Sequence, residues 1–292
     1  MGFWNAFFGG KELSPEEEKQ EQEAKKYDLL KYDGVKAMKT GQLDYAVRCF
    51  EEALKMKNDL EVRDYLSQVL TAKGDLDGAL AELGRMAQAE PANLSIWLRT
   101  AQVAYMAEDY DRMDEACRQA LDIDGNSAEA CYHSAKARAG RKDLVGAIAM
   151  LTKAIALNAD YADAYLMRGQ ALLAMGDAAG ADQDADWLIA HVGDHEEVLM
   201  LKARITAAKG LAEEAIAIYD KVIDANPFVI EAFRERGQLK FNSGDKKGAE
   251  ADMQQVLELD PQQLANVNGE YSAEGIEQHV KQAYSAVNPL GL

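Results

Sequence analysis

Cysteine, histidine and proline are all scarce in this chain. The three cysteines, Cys49, Cys117 and Cys131, include no CxxC pair and are odd in number. That excludes a disulfide framework and fits a reducing compartment. The four histidines, His133, His191, His195 and His279, contain no HExxH pair. His191 and His195 are four apart, but Gly193 stands between them at a turn, and no third ligand is near. The stretch DQDADW from Asp182 lacks the glycine that a calcium loop needs at its sixth position, where Trp187 stands, and has Gly193 in place of the closing glutamate. A phosphate loop of the GxxxxGK type is missing, and so is a GxSxG elbow. With no nucleophile, base or ligand set, the sequence supports no catalysis, cofactor or metal.

Positive charge is also short. Lys and Arg number 32 against 50 Asp and Glu, a net charge of −18. A phosphate backbone requires a basic stripe, so nucleic acid is excluded as the main partner. No apolar run approaches the roughly 18 residues of a membrane-spanning helix. The N-terminus lacks a basic n-region and its apolar run stops at Gly9, so it does not read as a signal peptide. Ala6 stands where an acylation signal has Ser or Thr. These absences fit a cytoplasmic protein and leave association with a membrane surface open.

What is present is a repeat. GQLDYA begins at Gly41, GDLDGA at Gly74, GDAAGA at Gly176, GLAEEA at Gly210 and GDKKGA at Gly244. The spacing is 34 residues or a multiple of it, apart from one interval of 33. Two further units lie between Gly74 and Gly176, with Glu108 and Lys142 in the glycine's place. Five residues after this position come Ala46, Ala79, Met113, Ala147, Ala181, Ala215 and Ala249. Seven before it stand only small residues: Gly34, Ser67, Ala101, Ala135, Gly169, Ala203 and Gly237. Helix breakers, including Pro91, Pro227 and Pro261, recur seventeen after it. Within one unit, Phe233, Gly237 and Phe241 mark a first helix, Asn242–Asp245 a turn, and Ala249, Met253, Val256 and Leu257 a second helix. Neither helix pair can bury its apolar face alone, so the pairs must stack.

The unit length, the small residue at position eight, the alanine at twenty and the proline at thirty-two resemble the tetratricopeptide repeat family. The resemblance covers seven units, residues 27–263. Arg63, Met113 and Ala185 depart from the family's usual residue types. The resemblance implies an all-α fold, an α-solenoid with a right-handed superhelix of seven helix-turn-helix repeats. It also implies a non-catalytic scaffold that binds a peptide or partner protein along the groove lined by the first helices. Groove-facing offsets give Gln68, Gln102, Lys136, Gln170, Arg204 and Gln238 at position nine. Tyr32, Tyr65, Tyr105, Tyr132, Met167, Met200 and Phe241 stand around this row, with Arg99 and Arg234 adding positive charge. Such long donors could hold an extended peptide. The two-carboxylate clamp of some family members is incomplete, because Val35 follows Lys31 where the clamp has asparagine. Trp97 and Trp187 are expected in the core.

The two ends lie outside the period. Residues 11–26 form a charged helical spacer, with Ser14 as N-cap and Pro15 in the first turn. Residues 264–292 hold a capping helix at 272–287, marked by Ile276, Val280 and Tyr284. Residues 1–10, MGFWNAFFGG, carry Phe3, Trp4, Phe7 and Phe8 on an adhesive tip. Three roles are open for that tip: an anchor to a membrane surface or partner, docking on this chain's or a neighbour's groove, or none. A peripheral membrane adaptor is the alternative function, and oligomerisation is left open.

Overall fold

The structure, a computed structural model, describes residues 14–260. The expected tip at 1–10, with Phe3, Trp4, Phe7 and Phe8, and the expected capping helix at 272–287 lie outside the described residues. The described residues are all-helical, fourteen helices packed as consecutive antiparallel pairs. They fall into two compact units that divide between Gly125 and Asn126. The first contains α1 (Pro15–Lys39), α2 (Leu43–Met56), α3 (Leu60–Lys73), α4 (Leu76–Ala89), α5 (Leu94–Met106) and α6 (Tyr110–Ile123). The second contains α7 (Ala128–Gly140), α8 (Leu144–Leu157), α9 (Ala162–Ala174), α10 (Ala178–His191), α11 (Glu196–Ala208), α12 (Ala212–Ala225), α13 (Ile230–Asn242) and α14 (Lys246–Leu259). Within each unit the second helix of one pair packs on the first helix of the next.

The recurring G-D-x-x-G-A string builds the turn inside each pair. Gly41, Gly74, Gly176, Gly210 and Gly244 all have φ between 73° and 90°, the left-handed region that glycine enters without a Cβ penalty. The next residue caps the second helix: Asp75, Asp109, Asp143, Asp177 and Asp245 each accept a hydrogen bond from the backbone N–H three residues on. A second glycine sits under most of these carboxylates. A Cβ on Gly146 or Gly248 would stand 2.1 Å from the other oxygen, Oδ2, of the capping carboxylate. The two hidden units keep the turn with no glycine to ease it, at Glu108 with φ 54° and Lys142 with φ 64°.

Small residues let the helices close. The alanines at position twenty are fully buried, and Met113, which replaces one of them, is fully buried too. Gly34 of α1 meets the Phe50 ring of α2, which would lie 2.5 Å from an added Cβ. Cys49, Cys117 and Cys131 are buried and in no disulfide, small filler in these seams.

The departures from the pattern have physical partners. Arg63 of α3 pairs with Glu82 of α4 at 2.5 Å, and Arg85 joins the same carboxylate. Two pairs of the second unit repeat one device 68 residues apart. Arg168 grips the buried Asp184 through Nε and Nη2 at 2.9 and 2.6 Å, and Arg236 grips Asp252 at 3.0 and 2.5 Å. The tryptophans are both only half-buried. Trp97 donates Nε1–H to the Pro91 carbonyl at 2.9 Å. Trp187 lies between Tyr165 and His191, with ring centroids 3.8 and 4.4 Å away. Its indole is the middle of a stack on α9 and α10 and packs against the buried cluster that includes Leu188 and Leu201.

α1 continues beyond its own pair. Ser14 and Glu17 form a reciprocal capping box, Pro15 starts the helix, and residues 14–26 are all exposed. The expected spacer is therefore an overhanging arm of the first repeat helix.

Candidate functional site

The first helices of each unit adjoin one another: α1, α3 and α5 in one, α7, α9, α11 and α13 in the other. In the first unit the side chains on this face are mostly paired across helices. Lys31 Nζ donates to Glu61 Oε2 at 2.6 Å, and Tyr65 Oη donates to Glu61 Oε1 at 2.9 Å. These bonds raise the Lys31 and Tyr65 pKa values and lower that of Glu61. Tyr65 also stacks on Phe50 at 5.7 Å. Arg99 of α5 pairs with Asp64 of α3 and donates Nη2–H to Ser67 Oγ at 2.6 Å. Gln68 spends its amide on the same Asp64, at 2.8 Å.

Three residues of this face point outward from the first unit. Tyr32 is 66% exposed and Tyr105 40% exposed. Gln102 is exposed and makes no hydrogen bond to another described residue. Tyr105 lies edge-on to Tyr110, with ring centroids 6.4 Å apart.

In the second unit, Tyr132 of α7 packs against Tyr161 at the start of α9, with ring centroids 5.0 Å apart. Lys136 Nζ lies 5.8 Å from the Tyr132 centroid, a cation–π distance. Burial lowers the Lys136 pKa, and burial pushes the Tyr161 hydroxyl up to about 12. His133 lies beside Tyr132 with its Nδ1 buried and unpartnered, and burial lowers its pKa as well. Gln170 is exposed and Arg234 half-buried, and neither is bonded to another described residue.

Four side chains expected on this face are engaged within the fold. Arg204 does not stand as a free donor. Its Nε and Nη2 grip Glu235 of α13 at 2.8–3.1 Å, and Tyr219 Oη donates to the same carboxylate at 2.6 Å. Arg99 is likewise tied to Asp64. Gln238 is only 7% exposed and gives its amide to Asn242 Oδ1 at 3.0 Å. Met200 is core, packed with Tyr219 and Val222. For Arg204 and Arg99 the offset that aims a side chain at the groove also aims it at a neighbouring first helix, where it meets an acid; Gln238 is taken by Asn242 of its own helix, and Met200 by the second helix α12. The residues that sequence reasoning missed are Glu61, Asp64 and Glu235. Their signal was an acid 30–35 positions from a base, on the neighbouring first helix.

Among the described residues, no group of three or more His, Cys, Asp or Glu is disposed to hold a metal ion, and no helix is long and apolar enough to cross a membrane.

Comparisons with known proteins place this architecture. Residues 166–230 and 231–263 match two family models, each described as tetratricopeptide repeat. No curated protein matches the chain. A tetratricopeptide repeat protein from Parabacteroides merdae superposes with a TM-score of 0.68 at 16% identity, over 89% of this chain and 99% of that one. PilW, a widely conserved type IV pilus biogenesis factor, gives 0.59 at 20%, over 76% and 98%. YrrB, a TPR protein with an unusual peptide-binding site, gives 0.52 at 15%, over 68% and 97%. At these identities the likeness concerns the fold. The repeat period and the paired helices give the described residues the tetratricopeptide repeat fold, and residues 166–263 match that family.

Proposed function

We propose that this protein is a non-catalytic interaction scaffold that binds an extended peptide segment of a partner protein along its first-helix face. One observation carries the reading. After the internal ion pairs are counted, the unpaired polar side chains on that face are long hydrogen-bonding groups: Gln102 in one unit, Gln170 and Arg234 in the other. A glutamine amide both donates and accepts, so it matches a peptide's C=O and N–H. Tyr32 and Tyr105 add exposed aromatic surface, a residue type common at interfaces. The same fold carries a peptide-binding site in YrrB.

The internal pairs sharpen the chemistry. Arg99 and Arg204 are already neutralised by Asp64 and Glu235, so the face reads peptide backbone through neutral amides more than it reads acidic side chains. Arg234 supplies a local preference for a carboxylate. A display library of unstructured peptides, panned on the intact chain and on a Gln102→Ala, Gln170→Ala, Arg234→Ala variant, tests this. Selected peptides should lose at least about tenfold in affinity for the variant. Equal affinity for a variant of unchanged helicity would overturn the assignment.

A further inference from the structure

We propose that the solvent-facing side of α8 is a contact surface for a second copy of this chain, the two α8 helices lying antiparallel about a two-fold axis. α8 is the second helix of its pair. The surface is therefore separate from the first-helix face, and either reading can fail without the other.

Lys153 is the one charged residue among the 14 of α8. The inner side of the helix is buried through Ala147, Leu151 and Ala154. Its outer side is uncharged as well: Val145, Ala149, Thr152 and Ala156 are all exposed, Val145 at 66%. Their spacing of four, three and four is that of a coiled-coil seam. The repeat supplies an internal control, because the same offsets can be read in every other second helix. They hold Asp44, Arg48, Glu51 and Lys55 in α2, and Asp111, Glu115, Arg118 and Asp122 in α6. Each of the other second helices has at least one charged residue at these offsets, and α8 has none. A surface helix normally turns a polar face to water, and α8 instead turns out a seam.

Charge complementarity selects a second copy and fixes its direction. With a net charge of −18, two copies repel one another except where acids are absent, as along this stripe. The two ends of α8 carry opposite charges. Lys142 stands in the turn before the helix and Asp160 in the turn after it. Both are exposed, and neither side chain is bonded or ion-paired to another described residue. A two-fold axis midway along the stripe sets Val145 opposite Ala156 and Ala149 opposite Thr152. It also brings Lys142 of each copy level with Asp160 of the other, at both ends of the contact. A parallel arrangement would set Lys142 on Lys142 and Asp160 on Asp160. The small side chains of Ala149 and Ala156 let the two helices come close. α8 is about 21 Å long at 1.5 Å per residue, so the contact is short and belongs to the weak, reversible class.

Sedimentation equilibrium of the full chain, from micromolar to about millimolar concentration, tests this. The intact chain should dimerise reversibly. Ala149→Glu, a change at an exposed position, should raise the dissociation constant at least about tenfold by placing an unpaired charge in the seam. Lys142→Glu and Asp160→Lys should each raise it at least about fivefold by opposing like charges. Combined, the two should return it to within about twofold of the intact chain, because the pair is then restored with its signs exchanged. The turn at 142 accepts glutamate, since Glu108 holds the same backbone in another repeat. Should Ala149→Glu fail to fold, the charge exchange decides alone. A monomer at every concentration would overturn the proposal. A monomer that co-sediments with phosphatidylcholine vesicles, and loses this with Ala149→Glu, would overturn it in favour of a lipid surface. A dimer indifferent to Ala149→Glu, or a double exchange no tighter than either single change, would also overturn it.

Discussion

Arg204 of α11 and Glu235 of α13 form a two-pronged ion pair at 2.8–3.1 Å, and the buried Tyr219 hydroxyl adds a third bond to the same carboxylate. The pair joins two first helices in consecutive repeats, on the face where a peptide is proposed to lie. It therefore belongs to the scaffold, and its loss should show in stability. Arg204→Ala leaves Glu235 charged and largely buried, which is expected to cost about 3 kcal/mol. Arg204→Met with Glu235→Leu should recover most of that loss. Urea titrations of the two variants check this; equal destabilisation by both would contradict it.

Glu108 and Lys142 occupy the left-handed turn position that glycine fills in the other five pairs. An L-residue there carries a cost of about 1 kcal/mol that glycine does not. Part of the gain is lost because glycine also loosens the unfolded chain. Lys142→Gly and Glu108→Gly should each raise stability by about 0.5 kcal/mol, as read from the denaturant midpoint. The opposite change, Gly176→Lys, should lower it.

Gly34 admits the Phe50 ring at the first seam. A methyl group there would lie 2.5 Å from a ring carbon that is itself fully buried. Gly34→Ala is expected to destabilise by about 1–3 kcal/mol through overpacking. Phe50→Leu in the same chain should relieve part of it. Thermal melts of the single and double variants decide the matter, and an additive double variant would contradict the packing account.

His133 is half-buried, and this desolvation lowers its pKa from the ordinary 6.5; nearby Glu129 opposes the effect and Lys136 adds to it. A histidine held neutral in the folded state takes up its proton more readily when unfolded. Its contribution to stability is thus present above about pH 6.5 and declines as pH falls through and below that value. His133→Gln should flatten the stability-versus-pH curve between about pH 7 and pH 5. A steeper curve in the variant would reverse the assignment.

The fold was legible to the level of single turns. Glu108 and Lys142 were located by period alone, and the structure gives them the same left-handed backbone as the glycines they replace. The small residue at position eight likewise foretold the close approach at Gly34. The face of the first helices was less legible. Position nine says where Arg204 points, but its partner Glu235 lies 31 residues away on a helix whose tilt the period does not encode. Gln238 was illegible for a related reason: Asn242, four residues on, takes its amide. Trp187 packs against the core as expected, while its stack with Tyr165 and His191 depends on ring planes that only coordinates show.

The most direct test of the central claim places a photo-crosslinking benzoylphenylalanine at Gln102 or at Gln170 and, separately, at Val145, which is 66% exposed on the second helix α8. Each is irradiated with a peptide selected on the intact chain. The account predicts peptide adducts at Gln102 or Gln170 and none above background at Val145. Adducts at Val145 alone, or equally at all three positions, would contradict recognition through the first-helix face.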